Sequence, residues 1–341
     1  MNLLSWRLFS MALLMAIAVA MPAVVNAQTA QPMTEIRLAS TSAGGATATQ
    51  TAGGATTLEG GDVGSGGIVT PSTTGPEAAA FDGTYIWVAT QFSDSITRIR
   101  VKDNTVAGSF PVGKRPVALV YAASYLWVAN YLGNSVMKIA PSTGAVVATY
   151  TTGEGPGGLA YDGTNLWVAN RIANTVTKLK ASTGANLGTF AVGKRPMGIA
   201  FFANAVWVAS NFGNSVTKLS TAGAVLGTYA TGRGAFGVAG AGDSVYVTNF
   251  FGQTITRIRA ADGANLGTFK IGDGAAGILY DGVNLWVALH GDDVVVKVSP
   301  GDGSIISTYA TGNGPFTIAF DGLRVWVPNS GSDSISVTAA N

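Results

Sequence analysis

The sequence predicts an all-β fold, a seven-bladed β-propeller closed by an N-terminal strand, on three observations. An aromatic residue recurs at Trp87, Trp127, Trp167, Trp207, Tyr246, Trp286 and Trp326, at spacings of 40, 40, 40, 39, 40 and 40. A fixed period of this size marks a repeat architecture. Each period holds four short runs rich in Val, Thr, Trp, Tyr and Phe, parted by Gly, Asn and Asp, which is strand and turn chemistry. The two ends of the repeat region are complementary. The last unit stops at Asn341 after one strand too few, and the first is preceded by a spare strand-like segment.

Taken from the N-terminus, residues 1–27 read as a secretory signal peptide. Arg7 supplies the positive start, an apolar run follows, and Val25-Asn26-Ala27 places small residues at a cleavage site. Export to a periplasm or the extracellular space is expected, with no transmembrane segment in the mature chain. Residues 28–66 are rich in Gly, Thr, Ala and Ser and read as a flexible linker, since such composition buries too little to offset ordering entropy. Residues 67–341 are the propeller, expected to be a monomer.

Within each unit, strand a resembles Gly158-Leu159-Ala160-Tyr161. An Asp-Gly turn follows in four units, at 82–83, 162–163, 281–282 and 321–322. Strand b is Leu-Trp-Val-Ala, apolar on both alternating faces, so it needs cover on both sides of its sheet. A ring of blades gives that cover, because every sheet lies between two others. Strand c resembles Thr175-Val176-Thr177-Lys178-Leu179, and strand d Leu187-Gly188-Thr189-Phe190. The one 39-residue spacing is a deletion in a turn, at Ser220-Thr221-Ala222-Gly223. The missing strand d of the seventh unit is expected from residues 67–70, because Thr70 precedes Pro76 by the six residues that separate Tyr150 from Pro156.

The chain resembles the secreted seven-bladed propellers with YVTN-type repeats. The tetrapeptide stands intact as Tyr246-Val247-Thr248-Asn249 and reads Trp-Val-Ala-Asn at 127–130 and 167–170. It is similar in the same way to the streptogramin (virginiamycin B) lyases. The first resemblance implies the fold and few limits on function, since such propellers serve many roles. The second implies histidine and glutamate around a divalent metal on one face.

Composition narrows the chemistry. Cysteine is absent and histidine occurs once, which excludes a disulfide scaffold, thiolate chemistry and most histidine-metal schemes. A net charge of +2 gives no footprint for nucleic acid. Four antiparallel strands place the d–a and b–c loops at one end of the ring, here called the upper face, where a ligand is expected. Its loops offer Phe92, Lys114, Arg115, Tyr131, Arg171, Lys194, Arg195, Phe212, Arg233 and Phe250 as candidate ligand-binding residues. Arginine beside aromatic rings can hold carboxylate, phosphate or sugar. The leading expectation is therefore a non-enzymatic binding or scaffold module for a glycan, peptide or protein, with no cofactor.

Two alternatives stand beside it. One is a metal-dependent lyase or hydrolase centred on His290, with Asp292 and Asp293 as metal ligands. The other is a structural repeat protein of the envelope. Asp293 also belongs to a series of short polar residues seven after the marker: Asp94, Asn134, Asn174, Asn214, Gln253, Asp293 and Asp333. Side chains of this kind bond their own turns. A basic series eleven after the marker, Arg98, Lys138, Lys178, Lys218, Arg257 and Lys297, reads either as a rim of snorkelling stems with weak ion pairs or as a docking belt for an anionic polymer.

Overall fold

The computed structural model describes residues 30–38, 48–50, 55–58 and 74–340. Among these residues every named element is a β-strand, and seven sheets form the seven blades. Blade three is representative: Pro156–Tyr161, Asn165–Asn170, Thr175–Lys180 and Asn186–Ala191 pair antiparallel in that order. No helix among the described residues is long and apolar enough to cross a membrane.

The core is not one mass at the centre. It is seven clusters, one in each gap between neighbouring blades. Trp127 of blade two packs with Leu166 and Val168 of blade three, and Trp167 packs with Val206 and Val208 of blade four. Both faces of strand b are thus buried, as its sequence requires. The marker indoles are fully buried, and a ring from strand d lies beside five of them, as Phe190 does beside Trp167 at 5.9 Å. The next blade's c–d turn then comes down on that ring. Gly184, at φ +76°, leaves no room between its Cα and Tyr150 for a methyl group.

The Asp of the Asp-Gly turn explains the dipeptide. Asp162 Oδ1 accepts the N–H groups of Thr164 and Asn165, and Oδ2 accepts the Trp167 indole N–H at 2.7 Å. Asp281 and Asp321 repeat this. Burial opposes charge on these three carboxyls, yet the donated bonds outweigh it, and each sits below its ordinary value. A depressed folded-state pKa adds stability above the unfolded value, near 3.9, that is lost as pH falls through the folded value. Stability should therefore hold above about pH 4 and decline below it. Urea midpoints between pH 2.5 and 6 test this: replacing all three with Asn should flatten the acid limb, and an unchanged limb would refute the role.

The basic series lays its stems along the marker rings, and Arg257 also pairs with Asp243, but the heads are turned to the next blade. Lys178 Nζ donates to the Thr221 carbonyl of the next blade at 2.7 Å and sits 5.1 Å from the Trp167 ring. Lys138, Lys218 and Lys297 do the same with Ala181, Ala260 and Ala340, and Arg98 and Arg257 with Pro141 and Gly301. Each cation staples its blade to the following one. Blade seven has Val337 at this position, and Arg324 takes over from strand b. It stacks on Trp326 and donates to Val101 and Asn104 of blade one.

The closing strand differs from expectation. Thr34–Arg37 pairs antiparallel with Ser334–Ala339, with Ile36 opposite Ile335. It therefore comes from within the stretch read as linker, while residues 67–70 lie outside the described residues. Just before it, Gln31–Pro32 pairs in parallel with the outer strand of blade six. The physical reason is local. Met33, Ile36 and Leu38 are all buried, filling the gaps on both sides of blade seven, while Thr34 and Arg37 face out. Averaged over a Gly- and Thr-rich stretch, that short apolar run is masked. Leu38 N–H donates to the Asp333 carbonyl, and Thr74 N–H to Asp333 Oδ1. The chain thus leaves and rejoins the ring at one loop of blade seven. Two further short strands, Ala48–Gln50 and Ala55–Leu58, extend that sheet, the second parallel to Thr34–Arg37.

Candidate functional site

The upper face is built from two kinds of loop locked together. Each d–a loop accepts backbone N–H groups from the b–c loop of the blade it leads into, as Arg115 O accepts from Tyr131 and Gly155 O from Arg171. From the other side it is held by the polar residue seven after the marker. Asp94 Oδ1 accepts from Arg115 N–H, Asn134 from Gly155, Asn174 from Arg195, Asn214 from Gly234 and Asp293 from Gly314. These side chains therefore bond the loop that leads into the next blade, not their own turn. All seven have positive φ, a conformation short polar residues tolerate better than most.

That architecture settles where His290, Asp292 and Asp293 lie. Asp293 is a latch. Asp292 Oδ2 accepts the Asp273 N–H at 2.7 Å. The His290 ring packs between Phe250 and Phe316, and Nδ1 lies 3.3 Å from the Pro315 carbonyl oxygen. Burial lowers its pKa, so it is neutral near pH 7. Among the described residues, no three His, Asp or Glu side chains converge on a point fit for a metal ion.

The candidate cations and rings of blades two to four do gather. Arg115 Nε donates to Gln91 at 3.0 Å, and its guanidinium lies 5.1 Å from the Tyr131 ring. Arg171 approaches the same ring at 5.8 Å, and Arg195 covers Phe212 at 4.7 Å. Lys114 reaches Asp94 from an exposed position, and Lys194 and Arg233 are exposed. Phe250 joins a second cluster with Phe236, Phe251, His290 and Phe316.

The residue that organises the first group is Glu77, which the loop survey passes over. It is the first residue after the opening proline of strand a. The matching positions are Val117, Gly157, Met197, Phe236, Ala276 and Phe316, at the upper end of the strands a, which pack on one another from blade to blade around the axis; this end of the axis is here called the mouth. Gly157 clears space that the Arg171 side chain fills; a methyl group at 157 would overlap Arg171 Nε. Arg171 thereby reaches across blade two to Glu77 of blade one, with Nη1 to Oε1 at 3.5 Å, while Nη2 donates to the Gly157 carbonyl at 2.7 Å. Glu77 and Arg171 side chains are 5% and 13% exposed. Burial pushes the Glu77 carboxyl up, against the pull of Arg171 and Arg115, and burial likewise disfavours charge on Arg171.

Across the axis the same ring of positions turns aromatic. Phe236 and Phe316 meet edge to face at 5.2 Å over blade six, where Ala276 leaves room. In a seven-membered ring, blade six stands opposite the boundary of blades two and three. The mouth is thus guanidinium and carboxylate on one side and phenyl and imidazole on the other. Around it, the second residue of the b–c loop is a large exposed apolar side chain in five consecutive blades. These are Phe92, Leu132, Ile172, Phe212 and Phe251, 51–62% exposed. Blades six and seven have Gly291 and Gly331 there. The signal that finds the inner site in sequence is the irregularity of one position in an otherwise regular strand.

No family model matches the chain, and no curated protein matches it. Solved structures do. Hydrazine synthase of Kuenenia stuttgartiensis aligns at a TM-score of 0.70 and 16% identity, over 82% of this chain and 99% of the other. A streptogramin B lyase aligns at 0.66 and 18%, over 80% and 95%. A catalytically inactive virginiamycin B lyase variant from Staphylococcus aureus, solved with quinupristin, aligns at 0.68 and 19%, over 79% and 96%. The shared property is the fold. At these identities the likeness establishes a seven-bladed propeller and leaves the ligand to be argued from the mouth itself.

The opposite end offers less. An open groove between blades three and four is lined by Asp162, Asn165, Lys178, Phe201 and Thr221. Its aspartate and lysine are already spent on the indole and on the Thr221 carbonyl.

Proposed function

We propose that this chain is an exported binding module that holds its ligand on the upper face, after removal of a signal peptide ending at Ala27. The observation that carries the reading is the crescent of Phe92, Leu132, Ile172, Phe212 and Phe251. Contiguous exposed apolar side chains mark interaction surfaces in water-soluble folds. The polar repeat positions behind the crescent are consumed in holding loops together, whereas these five rest one edge on their own loops, as Phe92 does on Gly75 and Phe251 on Gly234, and leave about half of their surface to solvent. The neighbouring cations Lys114, Lys194, Arg195 and Arg233 give the rim a positive charge suited to a ligand with acidic groups.

A peptide and glycan array tests this. The native chain should bind a subset of peptides carrying aromatic residues, and a Phe92→Ser, Phe212→Ser, Phe251→Ser variant should lose that binding at an unchanged melting temperature. A blank array for the native chain, or equal binding by the variant, would contradict the reading. Conversion of quinupristin by the native chain would replace it with a lyase.

A further inference from the structure

The geometry points to an aromatic carboxylate as the group held at the axial mouth: its carboxylate takes Arg171 from Glu77, and its ring lies against Phe236, Phe250 and Phe316. This inference rests on the upper face being the binding face and adds what that face selects.

Three observations support it. First, the Arg171 guanidinium is under-satisfied. Of its five donors, one makes a short bond to Gly157, one reaches Glu77 at 3.5 Å, and Nε is buried without a partner. Guanidinium–carboxylate bonds normally run about 2.7–2.9 Å and favour two parallel contacts. Glu77 is therefore a counter-ion that keeps the buried charge in place without satisfying it. An incoming carboxylate can do better, with two oxygens for Nη1 and Nη2 in place of the 3.5 Å contact.

Second, the surroundings favour an anion. Arg115 and Arg195 flank Arg171, and Tyr131 lies between Arg115 and Arg171. Glu77 faces Arg171 and Arg115. One acid among three guanidinium groups leaves net positive charge around the buried Arg171, with Arg115 half-buried and Arg195 exposed beside it. Burial pushes the Glu77 carboxyl up, against the pull of Arg171 and Arg115.

Third, the facing wall is chosen for a flat apolar body. Phe236, Phe250 and Phe316 are half-buried, with Phe236 at 5.7 Å from Phe250 and 5.2 Å from Phe316, a cluster of rings against which a further ring can pack. A ligand joining a carboxylate to an aromatic ring offers one group to each wall. Free aromatic acids and the C-terminus of a chain ending in an aromatic residue share this chemistry.

Calorimetric titration at pH 7 with phenylacetate, phenylacetamide, Ala-Ala-Phe and its C-terminal amide tests the assignment. The acids should bind saturably and about tenfold or more tightly than the amides, since an amide leaves the guanidinium uncompensated. The tighter of phenylacetate and Ala-Ala-Phe identifies the source. Gly157→Ala, which pushes Arg171 out of its slot, should weaken acid binding about tenfold while leaving amide binding unchanged, at a lowered melting temperature because Glu77 loses its buried counter-ion. Glu77→Gln should strengthen it. Equal binding of acid and amide, full binding by Gly157→Ala, or weaker binding by Glu77→Gln would each overturn the assignment. If no probe binds while the array on the native chain is positive, the crescent reading stands and this one falls. If both are blank, both fall.

Discussion

A chain that begins at Thr74 is expected to lose its closed ring. Removing residues 28–73 takes away the outer strand of blade seven, Thr34–Arg37, and the buried side chains of Met33, Ile36 and Leu38. Each of these is worth about 1.5–3 kcal/mol in burial. Together they amount to about 4.5–9 kcal/mol, comparable to the whole stability of a typical domain. The loss falls on two gaps at once. Met33 packs with Trp286 and Tyr309 between blades six and seven, and Ile36 packs with Trp326 and the strands of blade one. The edge of Ser334–Ala339 would also be left without its partner, a template for aggregation. Denaturant melts of chains starting at 28 and at 74 check this. The shorter chain should melt far earlier or fail to fold, and a peptide of residues 28–40 added in trans should restore part of the difference. Equal midpoints would mean that the ring closes without the segment.

Trp167→Ala is the single substitution with the largest expected cost. The indole is fully buried, lies beside Phe190, carries Lys178 near its face and donates to Asp162. Truncation of a buried Trp costs about 3–5 kcal/mol through lost transfer energy and the cavity left behind. Here it also removes one of the bonds that hold the Asp162 carboxyl charged against burial. Trp167→Tyr should cost much less, since blade five already carries Tyr246 at the matching position, its hydroxyl reaching the Pro300 carbonyl. Urea unfolding followed by tryptophan fluorescence gives both values. A loss below about 1 kcal/mol for the Ala variant would show that the gaps between blades repack freely, contrary to a close-packed interior.

The repeat itself was legible because it is written many times. Period, blade number, strand order and the double burial of strand b follow from Trp87 to Trp326, and the structure repeats them blade after blade. What sequence reading missed is what occurs once. The closing strand depends on three apolar residues, Met33, Ile36 and Leu38, in a stretch whose average composition argues against order. Glu77 and Arg171 stand 94 residues apart and meet because Gly157 vacates a slot, which no local pattern records. The basic series was visible as a series, but its direction was not. That Lys178 reaches a carbonyl of the next blade follows from the stagger of neighbouring sheets, not from spacing along one chain. The exposed crescent lay in the surveyed loops, yet its five members separate from their buried neighbours only once the loops have a fold.

The general lesson lies in how a repeat departs from itself. Positions kept in nearly every blade, such as the marker aromatic, the loop latch and the stapling cation, have a structural task in nearly every blade. The first residue after the strand a opening is Glu, Val, Gly, Met, Phe, Ala and Phe in turn, and there the ring stops being symmetric. The most direct measurement is a crystal structure of the protein soaked with phenylacetate. The account predicts density at the axial mouth, with the carboxylate on Arg171 and the ring against Phe236 and Phe316. Density confined to the groove beside Lys178, or anywhere other than the mouth, would contradict it.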